Sequence, residues 1–309
     1  MAYPTDLELS VYRTLCWFSV FHHPLTRFEL WKWLLKPQRP YDLSEVDSVL
    51  EQSSWLSERL CSTDGFFTLK QETPRRCLAE RRQQFLDGMR KYRKLRRACL
   101  FFSCLPGVCA IAAVNTLAWW RTSSESDIDL FIVTQPKRIW SSRFFLVLPF
   151  LFFGNRPSHY SQTPVTDPFC FSFFATREAL QFESLKWNEE DYYLAYWVKS
   201  MVPLFDRTNI LKEFSDLNRW ANHFLPNAQS REIHPLHRSC RLFSLPVQWT
   251  FLEPLFRFLQ LNRLPPSLRA LANKDSRVVV TDDLLKFHEN DRRELFLQQF
   301  QVIYETNLG

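Results

Sequence analysis

Apolar positions in the first 70 residues recur at helical spacing and then change to the pattern of a hairpin. A first helix is predicted by four apolar residues that share one face: Leu7, Val11, Leu15 and Phe18. Thr26 and Glu29 form a capping-box pair that predicts a second helix, which two prolines end, and a third begins near Ser44. Two short runs around residues 63–65 then predict a β-hairpin. This order is that of a winged helix, which we predict for residues 1–72.

The third helix of this segment is acidic, although the third helix of a winged helix is the one that commonly reads DNA. Residues 42–53 contain four acidic side chains and no lysine or arginine, an arrangement that repels phosphates. We therefore predict a structural or protein-contact role for the segment, while its hairpin or the following helix could still touch nucleic acid.

The next helix, predicted over residues 73–103, carries the positive charge of the chain. Ten lysines and arginines lie between residues 75 and 97 against two acids, while the whole chain has a net charge of +6. An apolar stripe lets one face of this helix pack. The charged faces are either exposed to solvent only, or they bind RNA, DNA or nucleotide phosphates. The candidate residues for such binding are Arg90, Arg93 and Arg97.

Two apolar runs within residues 108–134 predict the strands around which the rest of the chain is arranged. The first, residues 108–114, is small and apolar; it ends at Asn115-Thr116, and a short helical stretch follows from Leu117. The second, residues 127–133, reads DIDLFIV and is rich in the apolar and β-branched residues that favour a buried strand. The predicted order is strand, polar turn, short helix and acidic strand.

The second strand carries two acids, Asp127 and Asp129, on one face. Strand side chains alternate, and residues two apart are about 6.5–7 Å apart along the chain, so both carboxylates can converge on one hard cation such as Mg²⁺ or Mn²⁺. Without a cation or a basic group, two buried acids repel each other, and the pKa of one rises. The other interpretation is that Ser126 and Asp127 cap a turn while Asp129 pairs with an arginine.

This stretch resembles the nucleotidyltransferase superfamily, which has a DNA polymerase β-like fold. The signature of the family is a strand ending in Gly-Ser, a short helix, and a strand carrying Asp-x-Asp. Here Asn115-Thr116 stands at the Gly-Ser turn, and Ser126 precedes Asp127 and Asp129. The resemblance implies that the two acids are catalytic residues that hold Mg²⁺, and that Asn115, Thr116 and Ser126 bind the phosphates of an NTP.

Two features of the chain depart from the family signature. Asparagine and threonine replace the glycine and serine of the turn, although asparagine tolerates left-handed backbone geometry and threonine keeps a hydroxyl. The third carboxylate of the family, on a later strand, has no clear counterpart, because the strand predicted over residues 169–174 offers Ser172 or Cys170. Loss of the third carboxylate implies one of three things: a slow transfer reaction, a substitute acid among Glu189, Glu190 and Asp191, or a protein without catalytic activity.

Basic side chains after the acidic strand and a polar cluster near the C-terminus are further candidates for the site. Arg138 and Arg143 follow the strand and could reach a triphosphate, or could pair with surface acids. The cluster from Lys286 to Arg293 either folds back on the site or docks a tail helix through ordinary ion pairs.

Composition limits the class of protein. With 46% hydrophobic and 23% charged residues, the 309-residue chain has an ordinary globular composition. Glycine is scarce, and neither GxxxxGK[ST] nor GxGxxG occurs, which argues against those phosphate loops. The N-terminus has no signal pattern, and the longest apolar run, residues 144–153, is about half as long as a membrane-spanning helix. We therefore expect a cytoplasmic protein without a transmembrane segment.

The eight cysteines are scattered along the chain without a CxxC pair, so we expect reduced, mostly buried thiols. His234, His237 and Cys240 have a spacing that could ligate zinc, although Pro235 interrupts the segment. No fourth ligand is evident, which argues against a metal site there.

Together these patterns predict a multidomain α/β (α+β) protein. Its parts are a winged-helix-like domain (1–72), a basic connecting helix (73–103), a polymerase β-like nucleotidyltransferase core (104–180) and a helical C-terminal region (181–309). The function that the resemblance implies is Mg²⁺-dependent transfer of a nucleoside monophosphate from an NTP to a hydroxyl acceptor on a protein, an RNA or a small molecule, with release of pyrophosphate. The alternative is a catalytically degraded relative that acts as a nucleotide- or nucleic-acid-binding scaffold or regulator.

Overall fold

The N-terminal segment consists of short helices and a small three-stranded sheet of order β1-β3-β2. The computed structural model describes residues 3–152, 167–233 and 250–306. The elements of this segment are α1 (Asp6–Ser19), β1 (Leu25–Thr26), α2 (Arg27–Lys32), α3 (Leu43–Gln52), α4 (Ser54–Ser57), β2 (Leu60–Thr63) and β3 (Phe66–Leu69). The capping box predicted at Thr26 and Glu29 forms at the start of α2. Asp64 and Gly65 have the positive φ angles, 52° and 78°, that a two-residue hairpin turn requires.

One long helix, α5 (Pro74–Phe102), follows this segment, as the sequence predicts. Its 29 residues span about 43 Å at 1.5 Å per residue. Many of its cations contact acids, hydroxyls or carbonyl oxygens of the molecule itself: Arg76, Arg81, Arg82, Arg90, Lys91 and Lys94. Much of the charge run therefore contributes to the internal structure of the protein.

A six-stranded sheet of order β7-β4-β5-β6-β9-β8 forms the centre of the rest of the described chain. Its strands are β4 (Val108–Ala113), β5 (Ile128–Thr134), β6 (Phe169–Thr176), β7 (Val202–Asp206), β8 (Val278–Val280) and β9 (Leu284–Phe287). β5 and β6 are parallel, and the other neighbours are antiparallel.

The C-terminal region is not purely helical, because β7, β8 and β9 all come from it. The sequence patterns predict a helical C-terminal region, and β7 is absent from that prediction. Pro203 lies inside β7 and suggests an interruption, whereas an edge strand such as β7 tolerates a proline that cannot donate to a ladder.

Helices cover both faces of the sheet. The helices of this part are α6 (Asn115–Ala118), α7 (Ile139–Phe152), α8 (Tyr192–Ser200), α9 (Ile210–Leu217), α10 (Glu253–Asn262), α11 (Pro266–Leu271) and α12 (Arg293–Thr306). α5, α7 and α10 bury their apolar residues on one face, and α8, α9, α12 and the N-terminal segment cover the other. Within the three described ranges, no helix is both long and apolar enough to cross a membrane.

The N-terminal segment shares its hydrophobic core with the sheet, so the sequence boundary near residue 72 does not separate two cores. Trp17 of α1 stacks on Tyr196 of α8, with 5.7 Å between ring centroids, and the Tyr196 hydroxyl donates to the carbonyl oxygen of Trp33 at 3.0 Å. Trp119, which follows α6, packs edge-on against Phe18. The N-terminal segment therefore packs against the residues that follow β4.

Candidate functional site

Asp127 and Asp129 lie on one side of β5, on the sheet face that α8, α12 and the N-terminal segment cover. Ile128 between them is fully buried against the other face, whereas Phe131, two residues further on, packs in the core beneath α8. Asp127 directly precedes the strand, and both acids are half-buried. The alternation of β5 directs Asp129 to this side, and Asp127 is close enough for the charge of Asp129 to act on it.

The surroundings of the two acids disfavour their charged forms and raise both pKa values. Burial raises the pKa of Asp129, and hydrogen bonds from the side chains of Asn115 and Cys170 offset part of that rise. Burial and the charge of Asp129 raise the pKa of Asp127, while the charge of Lys91 lowers it. A divalent cation between the carboxylates would remove this repulsion and use their oxygens as the ligands that Mg²⁺ prefers.

The turn after β4 lies beside these acids and has the backbone geometry of a glycine turn. Asn115 has a φ of 53°, in the left-handed region that asparagine adopts more readily than most residues, and its side chain donates to Asp129. Val114 N donates to Asp129 O at 3.1 Å, which fixes the end of β4 against the acidic strand. Thr116 Oγ1 is buried and has no hydrogen-bond partner among the described residues, so a polar group from a ligand could satisfy it.

Lys91 of α5 is a central residue of the site that the sequence analysis assigned only to the charge run. Its side chain is fully buried, and its Nζ donates to the carbonyl oxygens of Ser123 and Ser126 and, at 2.8 Å, to Ser126 Oγ. The same Nζ lies 3.5 Å from a carboxylate oxygen of Asp87 and 3.5 Å from one of Asp167. Lys91 therefore holds the loop that leads into Asp127 and, through Asp167, the start of β6.

The Ser126 side chain is bonded within the loop that Lys91 holds and is not available to a ligand in this arrangement. Its hydroxyl accepts from Ser123 N at 3.1 Å and donates to Ser123 O at 3.0 Å, in addition to its contact with Lys91. The structure thus gives Ser126 a role in shaping the loop before Asp127.

Cys170, and not Ser172, lies opposite Asp129 in the parallel pairing of β5 with β6. Burial and the charge of Asp129 raise the pKa of the Cys170 thiol, so it is neutral at pH 7, and its Sγ lies 3.2 Å from Ser172 Oγ. Ser172 comes next on the same side, at the register shift that follows Asp129. No carboxylate of β6 is therefore placed beside the acidic pair.

The acids suggested as substitutes are engaged elsewhere. Glu190 pairs with Lys36 at 2.6 Å, and Asp191 caps α8 and pairs with Arg293 at 2.6 Å. Glu189 is almost fully exposed and lies 3.7 Å from Lys186. None of these acids is brought to the pair on β5.

Arg138 and Arg143 lie beyond the far end of β5. Asp129 and Thr134 are five residues apart, about 16 Å along a strand, and both arginines follow Thr134. Arg143 donates to Gln260 Oε1 at 2.6 Å and lies over the ring of Phe287. The acids therefore stand at the start of the strand and the arginines after its end, so neither arginine follows the acids closely in space as their order in the sequence suggested.

A cavity of about 270 Å³ opens between the turn after β4 and the N-terminal segment. Thr116, Asn115 and Arg121 line one side, and aromatic rings that include Trp17, Phe21, Trp119 and Tyr193 line the others. Burial lowers the pKa of Arg121, whose guanidinium lies over the ring of Phe21 at 5.3 Å. Its Nε has no hydrogen-bond partner in the described part of the chain. A half-buried cation with a buried, unused donor, in a cavity walled by rings, suits an anionic ligand that also has a flat ring.

A second cavity of about 250 Å³ shares Asn115, Tyr193 and Arg292 with the first and is lined by residues of the C-terminal cluster. Burial lowers the pKa of Lys286 to about 8, and burial and the charge of Lys286 lower that of His288 to about 4. Arg293 pairs with Asp191 and Asp291. The cluster therefore docks α12 by ion pairs and also reaches the turn after β4, so both interpretations made from the sequence hold in part.

The three arginines suggested for polyanion binding have different surroundings. Arg90 pairs with Asp87 and Asp167, whereas Arg93 and Arg97 are exposed and make no side-chain hydrogen bond or ion pair with the residues that the structure describes. The segment with His234, His237 and Cys240 lies outside the described residues.

Comparison of the chain with protein-family models, with curated proteins and with solved structures found no match.

The buried position of Lys91 leads to a stability prediction. We expect Lys91→Met to destabilise the protein by roughly 3 kcal/mol or more, because the change removes the buried donor to two loop carbonyl oxygens and one of the two cations that pair with Asp87 and Asp167. Arg93→Gln, an exposed change on the same helix, should stay within about 0.5 kcal/mol of the parent. Urea unfolding followed by circular dichroism measures both, and equal stability of Lys91→Met and the parent would contradict the supporting role of Lys91.

Proposed function

We propose that this protein is a Mg²⁺-dependent nucleotidyltransferase that moves a nucleoside monophosphate from an NTP to a hydroxyl acceptor and releases pyrophosphate. The observation that carries the proposal is the position of two destabilised carboxylates, Asp127 and Asp129, beside a left-handed turn whose Thr116 hydroxyl is buried without a partner. The resemblance to the polymerase β-like family rests on the same residues.

The arrangement of strands supports a polymerase β-like core. The turn of that family lies between two neighbouring strands, and here β4 and β5 are antiparallel neighbours with Asn115-Thr116 between them. The strand parallel to β5, which is β6, would be the one that carries the third acid of the family. The order of helices and hairpin in residues 6–69 likewise supports a winged helix for the N-terminal segment.

The N-terminal winged helix would serve as a structural part of the site and not as a DNA reader. Its third helix is acidic, and Asp47 and Glu51 on that helix pair with Arg27 of α2. Its first helix is buried against α8 and α12 and contributes Trp17 to the first cavity. The segment therefore presents acidic residues outward and aromatic residues toward the proposed nucleotide.

The proposed transfer assigns a task to each group of the site. The acceptor oxygen attacks the α-phosphorus, the bond from that phosphorus to the bridging oxygen breaks, and pyrophosphate leaves. Asp127 and Asp129 would hold Mg²⁺, which neutralises phosphate charge when it is bound. The Thr116 hydroxyl and the guanidinium of Arg121 would donate to phosphate oxygens, and the rings of the first cavity would exclude water and face the base.

The proton of the acceptor hydroxyl has no carboxylate of β6 to receive it. The Cys170 thiol stands opposite Asp129, and a neutral thiol at pH 7 is not a proton acceptor. The proton would pass to water or to a carboxylate of the acidic pair. Loss of a general base commonly slows a reaction by about 10²–10⁴-fold, so we expect slow turnover that rises with pH.

The second candidate function is a catalytically degraded nucleotidyltransferase-like scaffold or regulator that binds a nucleotide or nucleic acid. The observation that favours it is the thiol in place of a third acid, together with the hydrogen bond from Asn115 to Asp129, which occupies one of the ligand oxygens. The exposed Arg93 and Arg97 leave room for a nucleic-acid contact on α5.

A transfer assay separates these two candidates. With an NTP labelled at the α-phosphate, Mg²⁺ and a lysate as the source of acceptor, we expect slow label transfer that Asp129→Asn abolishes and Cys170→Asp accelerates. Glu189→Gln, which changes an exposed carboxylate, should match the parent. Transfer by Asp129→Asn at the parent rate would contradict the proposal. Absence of transfer by the parent and by Cys170→Asp, although NTP binds, would favour the scaffold.

Nucleotide binding can be tested without chemistry. We expect Arg121→Gln to weaken NTP binding by about 10-fold or more in calorimetric titration, because a hydrogen bond from a charged donor contributes about 1.5–3 kcal/mol. Arg138→Gln is the matched control, since Arg138 lies beyond the other end of β5, and it should bind NTP as the parent does. If Arg138→Gln weakened NTP binding more than Arg121→Gln, the phosphates would lie at the other end of β5, and the proposed nucleotide site would be wrong.

A further inference from the structure

Three side chains of metal-binding type meet where the turn after α1 approaches the start of α5. Glu72 Oε1 lies 3.8 Å from His22 Nδ1 and 4.0 Å from Cys77 Sγ, and all three atoms lie within 4.8 Å of one another. The residues come from three places in the chain: the turn between α1 and β1, the loop after β3, and the first turn of α5. We propose that His22, Glu72 and Cys77 form a site for a divalent transition metal, with Zn²⁺ as the best fit.

The ligand set suits zinc better than a hard cation. Thiolate, imidazole and carboxylate are the ligands that zinc uses in tetrahedral sites, and three of them leave a fourth position for water. With metal–ligand distances of about 2.0–2.3 Å, ligand atoms at the corners of a tetrahedron are about 3.3–3.7 Å apart. The observed separations need only a small contraction. Mg²⁺ prefers oxygen ligands in an octahedral arrangement, so it would favour the acids on β5.

The carboxylate is already oriented for this role by the backbone. Leu69 N donates to Glu72 Oε2 at 3.2 Å, which leaves Oε1 directed at the histidine and the cysteine. Support of this kind from outside the ligand set fixes metal ligands in proteins. His22 is largely exposed and gives an ion access, whereas Cys77 is buried at the base of the site. His22 also has a φ of 50°, a left-handed conformation that is uncommon for histidine.

An ion at this site would fix one wall of the first cavity. Phe21 and His23, the neighbours of His22, both line that cavity. A bond from His22 to a metal held by α5 would limit the movement of the turn that carries all three residues. This consequence for nucleotide binding rests on the proposed function, whereas the metal site itself does not.

Cobalt titration of the chelator-treated protein of 309 residues tests the site directly. Co²⁺ replaces Zn²⁺ and gives a near-ultraviolet charge-transfer band when a thiolate is bound, and excess Mg²⁺ keeps the acidic pair on β5 out of the measurement. We expect one equivalent of Co²⁺ to produce the band, Cys77→Ser to abolish it, and His22→Ala to weaken binding by more than about 10-fold. Cys61→Ser changes a half-exposed cysteine of the same segment and should keep the band.

Other results would overturn the proposal. These are a parent without the band, a band that persists in Cys77→Ser, or a band that disappears only in Cys240→Ser. His22→Ala changes an exposed side chain, so undiminished Co²⁺ binding by that variant would also refute the site even if Cys77→Ser failed to fold. None of these outcomes depends on nucleotide transfer, so the metal site and the proposed function can fail separately.

Discussion

The buried ammonium of Lys91 joins α5 to the two strands on which the candidate site is built. Burial of a lone cation would cost several kcal/mol, and here Asp87, Asp167 and the carbonyl oxygens of Ser123 and Ser126 offset that cost. Because Ser123 and Ser126 precede β5 and Asp167 precedes β6, the contacts of this one ammonium hold the beginnings of both strands. Asp127 and Cys170 lie next to these anchored strand ends. The basic helix α5 therefore stabilises the position of the acidic pair through Lys91.

The site is completed by parts of the chain that are far apart in sequence. The turn after β4 supplies Asn115 and Thr116, α8 supplies Tyr193, and the residues before α12 supply Arg292. The N-terminal segment closes the first cavity with rings that belong to the same core as the sheet. Asn115, the hydrogen-bond partner of Asp129, and a half-buried arginine with an unused donor therefore line a space with aromatic walls. This combination beside the acidic pair is the physical basis for assigning an NTP to the site.

Local patterns predicted the parts of the site that depend on neighbours in sequence. Alternation placed both acids on one face, and the tolerance of asparagine for left-handed geometry accounts for the turn at Asn115. Contacts between distant residues could not be read in this way. Lys91 sits in a run of cations that gives no sign of which one is buried, and the pairing of Ile128 with Phe169 at the start of the strands decides that Cys170 and not Ser172 lies opposite Asp129. Arg121 follows two tryptophans, and only the packing of the N-terminal segment reveals that its guanidinium faces a cavity.

The central claim is that the acidic pair on β5 holds a metal ion beside a nucleotide. A crystal of the protein soaked with Mn²⁺ and a non-hydrolysable NTP tests it most directly, because manganese is located by its anomalous scattering. We expect a manganese peak between the carboxylates of Asp127 and Asp129, with phosphate oxygens near Thr116 Oγ1 and Arg121. A nucleotide bound with no manganese at these acids, or phosphates bound at Arg138 and Arg143 beyond the far end of β5, would contradict it.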